Sequence, residues 1–193
     1  MKEKVWMVAF VLILGSVWTT ALVGVDKLTA PLILKHEKEK LRISVLAALS
    51  IPYESDNTEQ VFNENVKSEE KGTKKIYRSK KGDIAFRVSG NGVQGPISGV
   101  FAMQPDLKTI RGITIVHQEE TPGLGDRVFE KETLDRFKGK KIAPQLLILS
   151  PGKASKENEI DGVSGATLTC KAFEKILNRQ IKDYISLIAE GNQ

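Results

Sequence analysis

The stretch Asp161-Gly162-Val163-Ser164-Gly165-Ala166-Thr167-Leu168-Thr169 sets three hydroxyls and small residues directly before a long apolar-periodic segment. A helix that starts here offers unpaired amides and a partial positive charge, and both favour a phosphate group. Ser164 is the candidate N-cap, and Gly165 and Ala166 let another group approach the backbone closely. On residue types alone, two readings stand: a capped helix start and a phosphate site. Other reactive residues are few. Cys170 is the only cysteine, so an internal disulfide, a zinc cage and a cysteine-held iron–sulfur cluster are excluded. With His36 and His117 as the only histidines, most histidine-based metal sites are excluded too, and no metal ligand set is assigned. Any electron carrier must then be an organic cofactor. Cys170 reads as a small packed residue, and His117 as a structural residue at a strand end without an evident carboxylate partner. Glu119 and Glu120 alternate along a strand end and make no catalytic dyad. Lys171 suits either a phosphate or a solvated helix face.

Three segments together resemble the FMN-binding domain family. The stretch ending at Thr167 is similar to its flavinylation signal: Asp, two variable residues, Ser or Thr, Gly, Ala, then the acceptor Ser or Thr. His117-Gln118-Glu119-Glu120-Thr121-Pro122-Gly123-Leu124-Gly125 resembles the family's second hallmark, Glu-Thr-Pro-Gly-Leu-Gly after a strand. Gly90-Asn91-Gly92-Val93-Gln94-Gly95-Pro96-Ile97 resembles its looser glycine-rich segment. Order and spacing agree, and the resemblance covers roughly residues 83 to 188.

The resemblance implies covalent FMN, joined through its phosphate to Thr167 by a dedicated flavin transferase. It implies cofactor-binding roles for Ser164, Gly165, Ala166 and Leu168, and for Glu120, Thr121, Gly123 and Leu124 lining the flavin. Asp161 becomes the upstream recognition residue for the transferase, and Thr169 a second acceptor candidate. With an anchor added, the chain resembles the G subunit of the Rnf ion-translocating electron transport complex. That resemblance implies a ferredoxin:NAD+ oxidoreductase coupled to Na+ or H+ movement, with other membrane and redox subunits as partners. The close alternative is the C subunit of a sodium-pumping NADH:quinone reductase, whose chains are usually longer. A third alternative, of another class, is a flavin-free membrane-tethered interaction domain. No residue is assigned a catalytic role: the chain alone reads as an electron carrier.

The elements that must position these segments read as α+β, with antiparallel strands packed on helices. Strand-like runs occur at Lys75–Arg78, Asp83–Ser89, Ile97–Gln104 and Thr109–His117, with turns at Asn91-Gly92 and Pro105-Asp106. Asp126–Phe137 reads as a short helix with Val128, Phe129, Leu134 and Phe137 available for packing. Leu146–Leu149 reads as a short buried strand. The spacing predicts a final helix over Thr167–Ile188, with Leu168, Phe173, Ile176, Leu177, Ile181, Tyr184, Ile185 and Ile188 on one side. The polar stretch Glu54–Lys75 reads as an irregular connection.

Val5 to Val25 contains no charged residue and is long enough to cross about 30 Å of hydrocarbon as a helix. An uncleaved anchor is expected, because no small-x-small cleavage site follows it as in a signal peptide. Pro31 is expected to break the chain, with an amphipathic helix over Leu32–Leu49. The expected organisation is an anchor at 1–25, a juxtamembrane helix and connection at 26–82, and the FMN-binding domain at 83–193. Positive charges on both sides of the span leave orientation open. The family resemblance implies a single-pass protein of a bacterial or archaeal-type inner or plasma membrane, with the domain on the outer face. The net charge of +5 is scattered among acids, and no aromatic platform accompanies it, so nucleic acid is not an expected partner.

Overall fold

The computed structural model describes residues 2–72 and 74–190, in two compact units, Met1–Glu39 and Lys40–Gln193. Helix α1 runs over Lys2–Ala48.

In the first unit, α1 contains a charge-poor window long and apolar enough to cross a membrane, by length and composition. Its side chains, Trp6, Phe10, Leu14, Trp18 and Leu22 among them, are exposed. Two hydroxyls within it are satisfied locally: Ser16 donates to the Leu12 carbonyl and Thr20 to the Ser16 carbonyl, each at 2.8 Å. Such back-bonding pairs these two hydroxyls inside an apolar stretch. Pro31 does not break the helix, contrary to the sequence expectation. A proline removes a single amide, here the donor to the Lys27 carbonyl, and long helix-forming flanks hold the remaining ladder together.

The second unit is built on a five-stranded antiparallel sheet in sequential order. Its strands are β1 (Val66–Lys71), β2 (Lys74–Ser79), β3 (Ile84–Asn91), β4 (Pro96–Met103) and β5 (Ile110–His117). Period-two alternation sends neighbours to opposite faces. Ile76, Phe86, Phe101 and Met103 enter one core, while Tyr77, Ala85, Val100 and Ala102 enter the other. The first face packs on helix α4 (Thr167–Glu190), whose Phe173, Ile176, Leu177, Ile181, Tyr184 and Ile188 are buried. Tyr184 stacks on Phe86 at 4.0 Å between ring centroids. The second face receives the last turns of α1 through Val45, Leu46 and Ala48, with Leu49 just beyond. Small residues admit that helix end. A Cβ added at Gly112 would lie 2.6 Å from the Ala48 carbonyl oxygen.

Three segments depart from the sequence expectation. Glu54–Lys75 is ordered as helix α2 (Thr58–Asn65) followed by β1, residue 73 lying outside the described residues. β1 is an edge strand with half of its side chains exposed, so its polarity conceals a strand held by pairing with β2. The boundary expected at residue 83 therefore falls inside the sheet, between β2 and β3. Asp126–Phe137 forms a 3-10 turn, Asp126–Phe129, and a five-residue helix α3, Lys131–Asp135, rather than one helix. Thr133 explains part of the break, since its hydroxyl donates to the Arg127 carbonyl. Finally, β6 (Leu147–Leu149) pairs in parallel with β7 (Glu159–Asp161), which is too short to show a period.

The turn between β4 and β5 is tied by Asp106, which accepts hydrogen bonds from the Lys108 and Thr109 amides, each at 2.9 Å, and from the Thr109 hydroxyl. Partial burial pushes its pKa up, but the Thr109 hydroxyl, the two amides and the nearby Lys141 charge outweigh it and hold it at about 2. A carboxylate depressed in the folded state stabilises above its unfolded pKa and loses that contribution as pH falls through the folded value. Asp106→Asn is therefore expected to cost stability at pH 7, with the difference fading from about pH 4 downward and gone only once the pH lies below about 2. After discounting for solvent at this half-exposed side chain, the loss is on the order of 1 kcal/mol. Thermal unfolding of both proteins across that range measures it.

Candidate functional site

The site forms where α4 begins. β7 ends at Asp161, and the chain turns through Gly162–Ala166 into the helix. Gly165 has φ +82°, a left-handed conformation that a Cβ would strain. The Ala166 carbonyl accepts the first helical bond, from the Cys170 amide at 2.9 Å, so Ala166 holds the cap position. This corrects the assignment of Ser164 as N-cap. Ser164 is exposed, and its hydroxyl makes no hydrogen bond among the described residues. The left-handed step at Gly165 moves the helix start two residues beyond it. Because alanine has no side-chain acceptor, the amides of Thr167, Leu168 and Thr169 are left without a partner among the described residues. Three free donors and the helix dipole thus converge where Thr167 is exposed.

Thr167 stands between two clefts. One, of about 310 Å³, is lined by Ser150, Val163, Ser164, Cys170 and Lys171. The other, of about 260 Å³, is lined by Val93, Gln94, Thr121, Leu124 and Leu168. Around the second cleft Val93, Leu124 and Leu168 are 46%, 52% and 72% exposed. Three exposed apolar side chains beside one hydroxyl form a surface that a flat, partly apolar group can cover. Leu168 was expected on the packed side of α4 and instead faces this cleft. It sits in the first turn, beyond the reach of the sheet.

The expected site residues fall into two layers. Thr121, Gly123, Leu124, Gly165, Thr167 and Leu168 are at the surface, whereas Ala166 is buried. Glu120 lines the floor of the second cleft as a bonded carboxylate rather than a free acid. It is 5% exposed and is held by the Val93 amide at 2.7 Å, the Gln94 amide at 3.2 Å and the Thr169 hydroxyl at 2.8 Å. Thr169 is consequently buried, and its hydroxyl is committed as a donor to Glu120.

Asp161 is engaged as well. Its Oδ1 accepts from the Lys153 and Ala154 amides, both at 3.0 Å. The Ala154 amide is the main cause holding its pKa below the ordinary range. Burial opposes the shift, and the Lys153 and Gly152 amides and the Arg136 charge assist it. Glu159 grips the same loop through the amides of Ser155 and Lys156. Arg136 donates to the carbonyls of Asp161 and Gly162 at 3.1 and 3.2 Å. The approach to the turn is thereby fixed from both sides. Lys171 pairs with Glu174 at 3.0 Å, and Cys170 is buried as a packed residue. His117 does have a carboxylate partner, Glu119 at 3.0 Å, which the alternation at the strand end obscured. Nothing in the sequence marks Val93 and Gln94 as site residues beyond the glycines around them.

Residues 92–182 match the FMN-binding domain family. That span contains the glycine-rich turn at 92–95, the Glu120–Gly125 loop and the whole Thr167 turn. Curated relatives match about half of the chain. The C subunit of the Na(+)-translocating NADH-quinone reductase of Haemophilus ducreyi is 40% identical over 96 residues, 47% of this chain and 37% of that protein. Its counterpart in Neisseria meningitidis is 40% identical over 100 residues, 49% of this chain and 39% of that protein. The matched region spans well under half the length of these relatives. Among solved structures, the C subunit of the same reductase from Parabacteroides distasonis superposes with a TM-score of 0.70 over 80% of this chain and 94% of that one, at 23% identity. At that identity the likeness establishes the fold.

Proposed function

We propose that this chain is a membrane-anchored electron carrier whose FMN is joined by a phosphoester to Thr167 Oγ1. The observation that carries the reading is an exposed hydroxyl beside three unpartnered helix amides and an apolar cleft. In this reading the amides of Thr167, Leu168 and Thr169 face the phosphate, which keeps about one negative charge as a diester. Val93, Leu124 and Leu168 support the isoalloxazine, and Thr121 borders it with its hydroxyl. When bound, the flavin supplies the redox chemistry, and the protein supplies position and surroundings. The covalent link prevents cofactor loss.

Between the two complexes considered, the relatives favour a C-type subunit of a Na+-translocating NADH:quinone reductase over the Rnf G subunit. Partner redox subunits, a flavin transferase that reads Asp161 to Thr167, and an outer-face position in the inner membrane belong to this proposal. The anchor is the apolar part of α1, with the FMN-binding domain following it.

The test is a mass measurement. The full chain is produced with an active flavin transferase, denatured and cut with trypsin, and the peptide Glu157–Lys171 is weighed. We expect a gain equal to FMN less one water, placed on Thr167 by fragmentation. An unlabelled peptide would sink the reading.

A further inference from the structure

Glu120 is 5% exposed, and its contacts tie its own loop to two other segments. Its Oε1 meets the amides of Val93 and Gln94, in the turn between β3 and β4. Its Oε2 meets the Thr169 hydroxyl, in the first turn of α4. All three partners donate, as a carboxylate acceptor requires. The surrounding glycines make room for it. A Cβ at Gly92 would collide with Glu120 Oε1, and one at Gly125 would lie 2.7 Å from Oε2 and 2.8 Å from Thr169 Oγ1. Both glycines therefore serve the same carboxylate. No lysine or arginine pairs with it among the described residues, so hydrogen bonds alone hold it.

The three tied segments carry the three apolar side chains of the cleft: Val93 on the turn, Leu124 on the Glu120 loop and Leu168 on α4. We propose that Glu120 is the positioning residue that assembles this platform from beneath and so holds the flavin ring still. The same contact withdraws Thr169 from attachment. This inference rests on the Thr167 attachment reading for its flavin arm, and on the carboxylate network alone for its backbone arm.

Two measurements on the full chain in detergent separate those arms. The first is amide exchange at Val93 and Gln94, which needs no flavin. Glu120→Ala should speed exchange there about tenfold or more, since two charge-assisted bonds are lost. Glu120→Gln should largely restore protection, because its carbonyl can still accept from both amides while its amide donates to Thr169. The second is the fluorescence anisotropy of flavin attached at Thr167. It should fall toward that of a freely pivoting label in Glu120→Ala and recover in Glu120→Gln. If Glu120→Ala does not fold, Thr169→Val keeps the shape and removes one donor, and should lower the anisotropy on its own. Unchanged exchange at Val93 and Gln94, or unchanged anisotropy in every folded variant, would overturn the proposal. A wild-type chain without attached flavin would instead count against the Thr167 reading, while the exchange result would still decide the role of Glu120.

Discussion

Thr167→Ala is expected to abolish all flavin fluorescence that survives denaturing electrophoresis, leaving only gel background. The size of the effect follows from the chemistry. A phosphoester needs a hydroxyl oxygen, and alanine offers none. The nearby hydroxyls cannot substitute, for different reasons. Thr169 is 4% exposed and donates to Glu120 at 2.8 Å. Ser164 is exposed but precedes the left-handed step at Gly165 and lies outside the helix whose first amides are open. Thr167→Ser should retain label, since the oxygen remains and only a methyl group is lost. Thr169→Ala should also retain it at Thr167. Full labelling of Thr167→Ala would show that the acceptor lies elsewhere.

Phe173→Ala should bring the largest loss of stability, roughly 3–5 kcal/mol. Phe173 is fully buried one and a half turns into α4 and meets Phe129 edge-on at 5.2 Å and Phe137 at 5.9 Å. It is the contact through which the helix bearing Thr167 grips the segment that follows the Glu120–Gly125 loop. Truncation leaves a cavity beside the rings of Phe129 and Phe137 that the packed core cannot fill. Thermal unfolding followed by circular dichroism should show a midpoint lowered by on the order of 10 °C. Phe173→Leu, which keeps most of the volume, should lose less than half as much. Equal melting of Phe173→Ala and the unmodified chain would mean that the start of α4 is held by other contacts.

The parts of this architecture that sequence alone reveals are those where burial repeats with a period. Phe86, Phe101 and Met103 alternate with Ala85, Val100 and Ala102, so β3 and β4 are evident without coordinates. α4 is evident for the same reason, through Phe173, Leu177, Ile181, Tyr184 and Ile188. β1 is different: Lys67, Glu69 and Glu70 look like a solvated connection, and only pairing with β2 makes them a strand. β7 is three residues long and has no room for a pattern. At the site, the turn that leads into α4 is evident in the sequence because its residue types are unusual together. The depth of each residue is not. Glu120 and Thr121 are adjacent in sequence, yet one lies on the floor of the cleft and the other on its rim, a distinction set by tertiary contacts with Val93, Gln94 and Thr169. Ser164 misled because a serine before a helix normally caps it, and a single positive φ at Gly165 displaced the start.

At Gly112 the neighbour across the gap is main chain rather than side chain. Rotamers can absorb a change at Val45 or Leu46, but nothing at the Ala48 carbonyl can swing aside. The final turn of α1 is therefore keyed to the sheet as a shaft is keyed to its hub, with both its rotation and its axial stop set by peptide atoms. Drift in the apolar residues around that contact can alter how well the joint is filled without altering where it seats.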